Sequence, residues 1–300
     1  AYTFRHGAHI RVTLVTRLAT GMVDRLIHLW SLSAFIVIMG FMTYWSFDLV
    51  YFSFKFNDIS PGLLAIPFWI PRSAMAVGSL ILLIALLDEI VCVVSATEEH
   101  SQANARRSRA EAVELIRTVA KMRDESDASP IINVGLSMAF GCSISGAVDP
   151  ARVLRLVEAC MEAGADIVGI ADTVGYAGPR QVGDLTAAVA KLCGGRAFIV
   201  HLHDTRGMGI ANASAALDAG ARVLDGSLGG LGGCPFAPGA TGNVVFEDLV
   251  YLCETKGFRT GIDVEKLMAV RDILRAEMPK EVLYGSLARA GPPPNLEWRQ

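Results

Sequence analysis

Beyond residue 88 the chain carries five short apolar runs, each with a polar residue where the run ends, and a stretch of helical character between each run and the next. The runs are Ile90-Val91-Cys92-Val93-Val94, ending at Ser95; Ile131 to Leu136, ending at Ser137; Asp166 to Ala171, ending at Asp172; Phe198-Ile199-Val200, ending at His201 and His203; and Val223-Leu224-Asp225-Gly226, ending at Ser227. Apolar runs this short, flanked by glycines and rich in Val and Ile, are buried strands. Between them, helices are expected near Ala110 to Arg123, from Asp149-Pro150 to about Ala163 with Gly164 as the stop, over Pro179 to Leu192, and over Met208 to Asp218.

Strand, helix, strand in alternation means parallel βαβ units and the α/β class. Polar residues gathered at the C-terminal ends of several strands mark the face on which TIM (β/α)8 barrels build their sites. Eight strands close such a barrel and five are visible here, so the expected fold is a partial TIM barrel. An open doubly wound sheet is the alternative, although no dinucleotide Gly fingerprint follows a first strand to support it.

The chemistry concentrates at Phe198-Ile199-Val200-His201-Leu202-His203-Asp204-Thr205. Side chains at i and i+2 of a strand share a face, so both imidazoles can reach one point. Two neutral imidazoles with a carboxylate beside them suit a divalent ion. The alternative is a polar strand end whose histidines bond water.

The first third of the chain has a different character. From Leu26 to Phe47 no residue is charged, and Trp30, Tyr44 and Trp45 fall near the ends of that run. It is long enough to span a bilayer as a helix with interfacial aromatics, and it is too long for a signal peptide and lacks a small-residue cleavage site. A buried helix of a soluble protein is the other reading. A loop with Asp48, Lys55, Asp58 and Ser60-Pro61-Gly62 leads through Pro67-Phe68-Trp69-Ile70-Pro71-Arg72 to a second apolar run, Ser73 to Leu87. Arg5, Arg11, Arg17 and Arg25 precede the first span, so the positive-inside rule places the N-terminus in the cytoplasm. With two spans, everything after Leu87 lies there too. The expected division is therefore a two-span transmembrane segment over 1–87, in the bacterial inner membrane through residues 26–87, a cytoplasmic α/β part over 88–291, and a tail over 292–300.

This division explains the bulk composition, 52% hydrophobic with 19% charged and a mean hydropathy of +0.41. A net charge of −3 without a basic block argues against a nucleic-acid partner. Six cysteines (92, 142, 160, 193, 234 and 253) lie scattered without paired spacing and read as reduced thiols.

Three motifs in order give the second part a resemblance. His201-Leu202-His203-Asp204-Thr205-Arg206-Gly207 is followed by Gly229-Gly230-Leu231-Gly232-Gly233-Cys234-Pro235-Phe236-Ala237. Then comes Pro238-Gly239-Ala240-Thr241-Gly242-Asn243, with Glu247-Asp248-Leu249-Val250 behind it. Together they resemble hydroxymethylglutaryl-CoA lyases, within the metal-dependent aldolase-type barrels that include the isopropylmalate and homocitrate synthases. Asp204-Thr205 with Cys234-Pro235 favours the lyase branch, because the synthases usually carry Asn-Asp after the second histidine and lack the Cys-Pro loop. Weaker matches are Ser95-Ala96-Thr97-Glu98 with Asn104, Gly141-Cys142, and Asp172-Thr173-Val174-Gly175.

The resemblance implies metal-dependent retro-aldol (Claisen-type) cleavage of a 3-hydroxy-3-methyl acyl-CoA to acetyl-CoA and a keto acid. It implies His201 and His203 as metal ligands, Asn243 as a further oxygen ligand, and Mg²⁺ or Mn²⁺ as the ion. Cys234, on a loop with Gly232 and Gly233, matches a mobile-loop cysteine that moves a proton during cleavage. In the alternative it is a small apolar plug in a glycine turn. His201 and Asp172 are further candidates for the chemistry, with Asp172 equally readable as a loop cap. Asp204 is a candidate to orient a histidine from behind. Cys142, Cys160, Cys193 and Cys253 read as packing.

The first segment resembles the small integral-membrane subunit of tripartite (TRAP-type) transporters. The matching features are His9-Ile10-Arg11-Val12, Ser60-Pro61-Gly62-Leu63-Leu64 and Ile66-Pro67-Phe68-Trp69-Ile70-Pro71. That family normally has four spans, and about two are present. The lyases in turn carry an Arg-Asp-Gly segment on their first strand, supplying a metal-ligating Asp and a stabilising Arg. None occurs in residues 1–87, and Arg271-Asp272 comes far too late.

The first three barrel strands are thus expected to be missing, with the joint near Leu87-Asp88. One reading is a lyase part fused to a truncated transporter subunit and impaired by the loss. Another is a tethered protein whose barrel is completed by a second copy or another chain. The competing functional class is a transporter component carrying the lyase part as a passenger.

Overall fold

The uncharged apolar run forms the first helix. In the computed structural model, which describes residues 22–58, 67–125, 130–232 and 242–294, α1 spans Met22–Lys55 and α2 spans Trp69–Asp88. At 1.5 Å per residue, the 34 residues of α1 extend about 51 Å and the 20 of α2 about 30 Å. Pro71 falls in the first turn of α2, where its missing N–H is no loss, so the helix begins earlier than the run from Ser73 suggests. Among the described residues one helix, over Val37–Lys55, is long and apolar enough to cross a membrane.

The two helices pack on each other, and α1 turns small polar groups inward. Thr43, Ser46 and Ser53 are buried with Met39, whereas Phe41, Tyr44, Trp45, Tyr51, Phe54 and Phe56 are exposed. Thr43 Oγ1 donates to the Met39 carbonyl at 2.7 Å, which satisfies the hydroxyl without a partner from another element. Arg72 ties the ends of the pair together. Its Nη1 donates to Ser53 Oγ at 2.9 Å and Asp58 Oδ2 at 2.8 Å, and the guanidinium lies 4.8 Å from the Phe68 ring.

The chain divides into two units, Ala1–Val91 with Ala128–Ile131, and Cys92–Asp127 with Ile132–Gln300. The division falls inside the first strand. That strand, β1, spans Glu89–Ser95, and is followed by α3 (Glu98–Ala105), α4 (Arg109–Asp124), β2 (Ile131–Ser137), α5 (Pro150–Glu162), β3 (Ile167–Asp172), α6 (Pro179–Cys193), β4 (Phe198–Leu202), α7 (Gly209–Asp218) and β5 (Val223–Asp225). A 3-10 turn at Leu228–Gly230 leads on to α8 (Phe246–Thr255), α9 (Val264–Glu277) and α10 (Ser286–Ala290).

The sheet runs β1-β2-β3-β4-β5, with parallel pairing from β2 through β5. Strand order follows sequence order without reversal. A doubly wound sheet reverses at a switch point, so this order is that of a barrel wall and excludes the open-sheet alternative. Five parallel-type strands of a (β/α)8 architecture are present among the described residues, as the strand pattern leads one to expect.

Local chemistry sets the helix ends. Ser108 and Glu111 form a reciprocal capping box at α4. Asp149 caps α5 with Pro150 in its first turn, and Gly194 closes α6 in the left-handed region. Val134, Leu136, Val168, Ile170, Val200 and Leu202 from the strands meet Ile116, Val153, Val157, Val182 and Val189 from the helices in one buried core. Cys160 lies inside it, where burial pushes its thiol up to about 12. This agrees with a packing role.

α3 is the element hardest to see in the sequence, since Glu98 to Ala105 has no apolar period. It exists because the Thr97 hydroxyl accepts the His100 N–H at its start and because His100 and Ser101 turn inward. The fifth strand ends at Asp225 rather than at Ser227. From Gly226 onward the backbone pairs instead with the segment after the glycine loop, through Ser227 and Val245.

Candidate active site

β4 delivers His201 on its last turn of pleat and continues to His203. The two rings stand 5.1 Å apart, centre to centre, at 72°, so the i, i+2 spacing does bring them together. Asn243 arrives by a backbone route. The segment Gly242 to Val245 inserts beside the end of β4, with His203 and Asn243 bridged antiparallel, Asp204 N donating to the Gly242 carbonyl at 3.1 Å and Val244 N to the Leu202 carbonyl at 3.0 Å. Gly242 is obligatory there. It sits at φ +121°, and a Cβ would lie 1.9 Å from the Gly230 carbonyl oxygen. Gly232 serves the amide itself, since a Cβ at that position would meet Asn243 Nδ2 at 2.8 Å. Asn243 Nδ2 donates to the Leu231 carbonyl at 2.8 Å, which fixes the amide orientation and leaves Oδ1 as its acceptor face.

The histidines differ in environment. His201 Nδ1 is 2.7 Å from Asp225 Oδ1, with both side chains about one-quarter exposed, at 22% and 23%. His203 is buried, and its Nδ1 finds no hydrogen-bond partner. Burial, reinforced by the neighbouring His201, pulls the His203 pKa down to about 3, so its imidazole is neutral. An orphaned, neutral, buried ring nitrogen beside a second imidazole is a donor set that fits a metal ion. Among the described residues no group of three or more His, Cys, Asp or Glu side chains gathers to complete such a site. What is present is two imidazoles and one amide.

Asp172 ends β3 with no exposed surface. Its two carboxylate oxygens accept from Tyr176 N at 2.9 Å and Ala177 N at 3.1 Å. Burial raises its pKa against the pull of those two bonds and of nearby Arg206 and His201. Asp204 Oδ1 accepts from Gly209 N at 2.6 Å at the start of α7, and burial raises its pKa as well. The carboxylate found on His201 is therefore that of Asp225, while Asp204 serves the helix start. Cys234 and Gly233 lie outside the described residues.

Three contributors were not singled out by the sequence reading. Asp225 is one. Arg206 is another: its Nη1 donates to the Val174 and Gly175 carbonyls at 3.1 and 3.0 Å, and its guanidinium lies 4.6 Å from the Tyr176 ring. It thereby pins the loop after β3 against the loop after β4. The third is the pair Glu247 and Arg271, both essentially buried and 2.6 Å apart. Both Glu247 oxygens also accept from Gly229 N, at 3.1 and 3.0 Å, and so clamp the base of the glycine loop. At the far side of the sheet the ends of β1 and β2 meet through Ser95 Oγ, 2.5 Å from His100 Nδ1 and 3.1 Å from Ser137 Oγ.

Comparison with known proteins agrees with both resemblances. The HMGL-like family model matches residues 73–274. That for the DctQ component of tripartite ATP-independent periplasmic transporters matches residues 1–96. A hydroxymethylglutaryl-CoA lyase of Bacillus subtilis is 36% identical over 194 residues, 65% of this chain and 64% of that protein. An (R)-citramalyl-CoA lyase of Chloroflexus aurantiacus is 38% identical over 207 residues, 69% of this chain and 64% of that protein. The chain thus spans a little under two thirds of these relatives. An HMG-CoA lyase from Acinetobacter baumannii, solved with coenzyme A and 3-methylmalate, superposes with a TM-score of 0.65 at 34% identity, covering 75% of this chain and 71% of that one. Through residues 73–274, the chain belongs to the HMGL-like family.

Proposed function

We propose that the α/β unit carries a metal-dependent, hydroxymethylglutaryl-CoA lyase-like activity, the retro-aldol cleavage of a 3-hydroxy-3-methyl acyl-CoA to acetyl-CoA and a keto acid, impaired in this chain because five of the eight strands of such a barrel are found among the described residues. The observation that carries this reading is the convergence of His201, His203 and Asn243 at the C-terminal end of β4. His201, His203 and the Asn243 oxygen would hold Mg²⁺ or Mn²⁺. Such an ion, when bound, acidifies the substrate hydroxyl and polarises its carboxylate.

The chain's own residues supply the rest. Neutral His203 offers a lone pair at every pH near neutrality, and the Leu231 carbonyl holds Asn243 Nδ2, leaving Oδ1 as its acceptor. His201 acts on the substrate hydroxyl through the ion it would hold, a base takes the hydroxyl proton, and Cys234 has the role of acid toward the acetyl-CoA enolate. Asp172 holds the loop of Tyr176 and Ala177 at the mouth. The acyl-CoA class is supported by relatives that act on hydroxymethylglutaryl-CoA and on citramalyl-CoA, and by the coenzyme A seen in the solved lyase.

The test is turnover of the full chain in detergent, with Mn²⁺ and either acyl-CoA. Rates far below the enzyme median of about 10 s⁻¹, abolished by His203→Ala, are expected. An ordinary rate would remove the impairment, and no His203-dependent turnover at all would remove the activity.

A second reading concerns residues 26–87, proposed to lie in the bacterial inner membrane as a transporter-type segment, with the lyase part in the cytoplasm. It is supported by the inward Thr43, Ser46 and Ser53, the outward aromatics of α1, and the match to the transporter family. Resistance of the chain to alkaline extraction from membranes is the expected result. Co-purification with a large transporter subunit would make transport the function and the lyase part a passenger. A second copy or a separate chain that completes the barrel would appear instead as a defined oligomer with restored turnover.

A further inference from the structure

We infer that Asp225 is a positioning residue for the metal site: it fixes the tautomer and the ring orientation of His201, so that His201 presents Nε2, while His203 Nδ1 has no hydrogen-bond partner. The metal role rests on the reading above; the tautomer does not.

The assignment begins in the strand register. His201 and Asp225 are direct Cα partners on adjacent parallel strands, β4 and β5. Residues paired in this way project their side chains to the same face of the sheet. Asp225 is the last residue of a three-residue strand, so the pairing holds it at the end of the sheet. The contact that results is short, with Nδ1 and Oδ1 2.7 Å apart.

A carboxylate only accepts, so the imidazole nitrogen facing it carries the proton. The lone pair of a neutral His201 is then on Nε2. A metal-binding histidine that donates its other N–H to a carboxylate gains basicity as well as a fixed orientation. His203 has no such arrangement at its Nδ1, which is buried without a partner. The two imidazoles are thereby given unequal work: His201 is hydrogen-bonded to a carboxylate, and His203 is buried with its Nδ1 free of any hydrogen bond.

The experiment uses the metal-free full chain in detergent micelles, with ¹⁵N-labelled histidine and His201 assigned by His201→Gln. Two-bond ¹H–¹⁵N correlations at neutral pH report which ring nitrogen is protonated. The wild type is expected to hold His201 in the Nδ1–H form, and Asp225→Ala is expected to release it to the Nε2–H form. Asp225→Asn, of the same shape, serves as the second variant should the alanine protein unfold. It is expected to mix the two forms, because its amide can face the ring as donor or acceptor. A wild-type His201 protonated on Nε2, or a tautomer unmoved by both substitutions, overturns the assignment.

Mn²⁺ binding, read by electron paramagnetic resonance, is the second measurement. Loss of Asp225 is expected to weaken it by about 10–100-fold. Mn²⁺ affinity unchanged in a variant whose tautomer has shifted would overturn the metal role of Asp225. Absence of Mn²⁺ binding in the wild type would instead count against the lyase reading, with the tautomer still deciding what Asp225 does.

Discussion

α1 and β3 use apolar residues in opposite senses. α1 buries Thr43, Ser46 and Ser53 and leaves Phe41, Trp45 and Phe54 exposed, whereas β3 buries Val168, Gly169 and Ile170 together in the core. A helix in water that showed so many rings would aggregate. In lipid the rings cost nothing, and small polar residues between helices allow close approach. The difference teaches that apolar content alone does not make a core. What counts is which surface each side chain faces, and on that point α1 and β3 differ.

The comparison can be broken at several points. The largest effect is expected at Glu247→Ala. It leaves the Arg271 guanidinium buried without its carboxylate and releases Gly229, at a cost of about 3–5 kcal/mol read by denaturant unfolding of the α/β unit. A loss under 1 kcal/mol would mean that solvent reaches the pair.

Ile170→Ala, in the middle of β3, comes next, at about 2–5 kcal/mol by the same measurement. Ser108→Ala removes the capping box of α4 and should cost about 1 kcal/mol. At the small end lies Phe54→Ala in α1, an exposed ring that meets protein edge-on at Trp69, 5.9 Å away between centroids, so that its loss should cost stability in detergent about 0.5–1.5 kcal/mol. If Phe54→Ala destabilised the protein as much as Ile170→Ala, the ring would be packed as a core residue rather than meeting Trp69 at its edge, and the contrast between the regions would fail.

Much of this was legible beforehand because the relevant signals are local. β2 is found where Ile131 to Ser137 predicts it, and the other strands fall within a residue or two. The histidine pair follows from period-two geometry alone, and Asn243 from the motif that contains it. Asp225 was not legible as a site residue. It stands in the sequence as one more residue of a short strand, and only the register between β4 and β5 sets it against His201. Parallel register depends on crossover helices and core packing, which no window of sequence displays.

The same holds for Arg206 and for Glu247 with Arg271, whose partners lie 31 and 24 positions away. α3 was hidden for the opposite reason. Its stability comes from a cap and two inward polar residues rather than from an apolar stripe.

The most direct test of the central claim, that the end of β4 is a metal site built by this chain's own residues, is Mn²⁺ titration of the full chain against His201→Ala/His203→Ala. Saturable binding that disappears in the double variant is the predicted result. Binding that is the same in both proteins, or absent from the wild type, would contradict it.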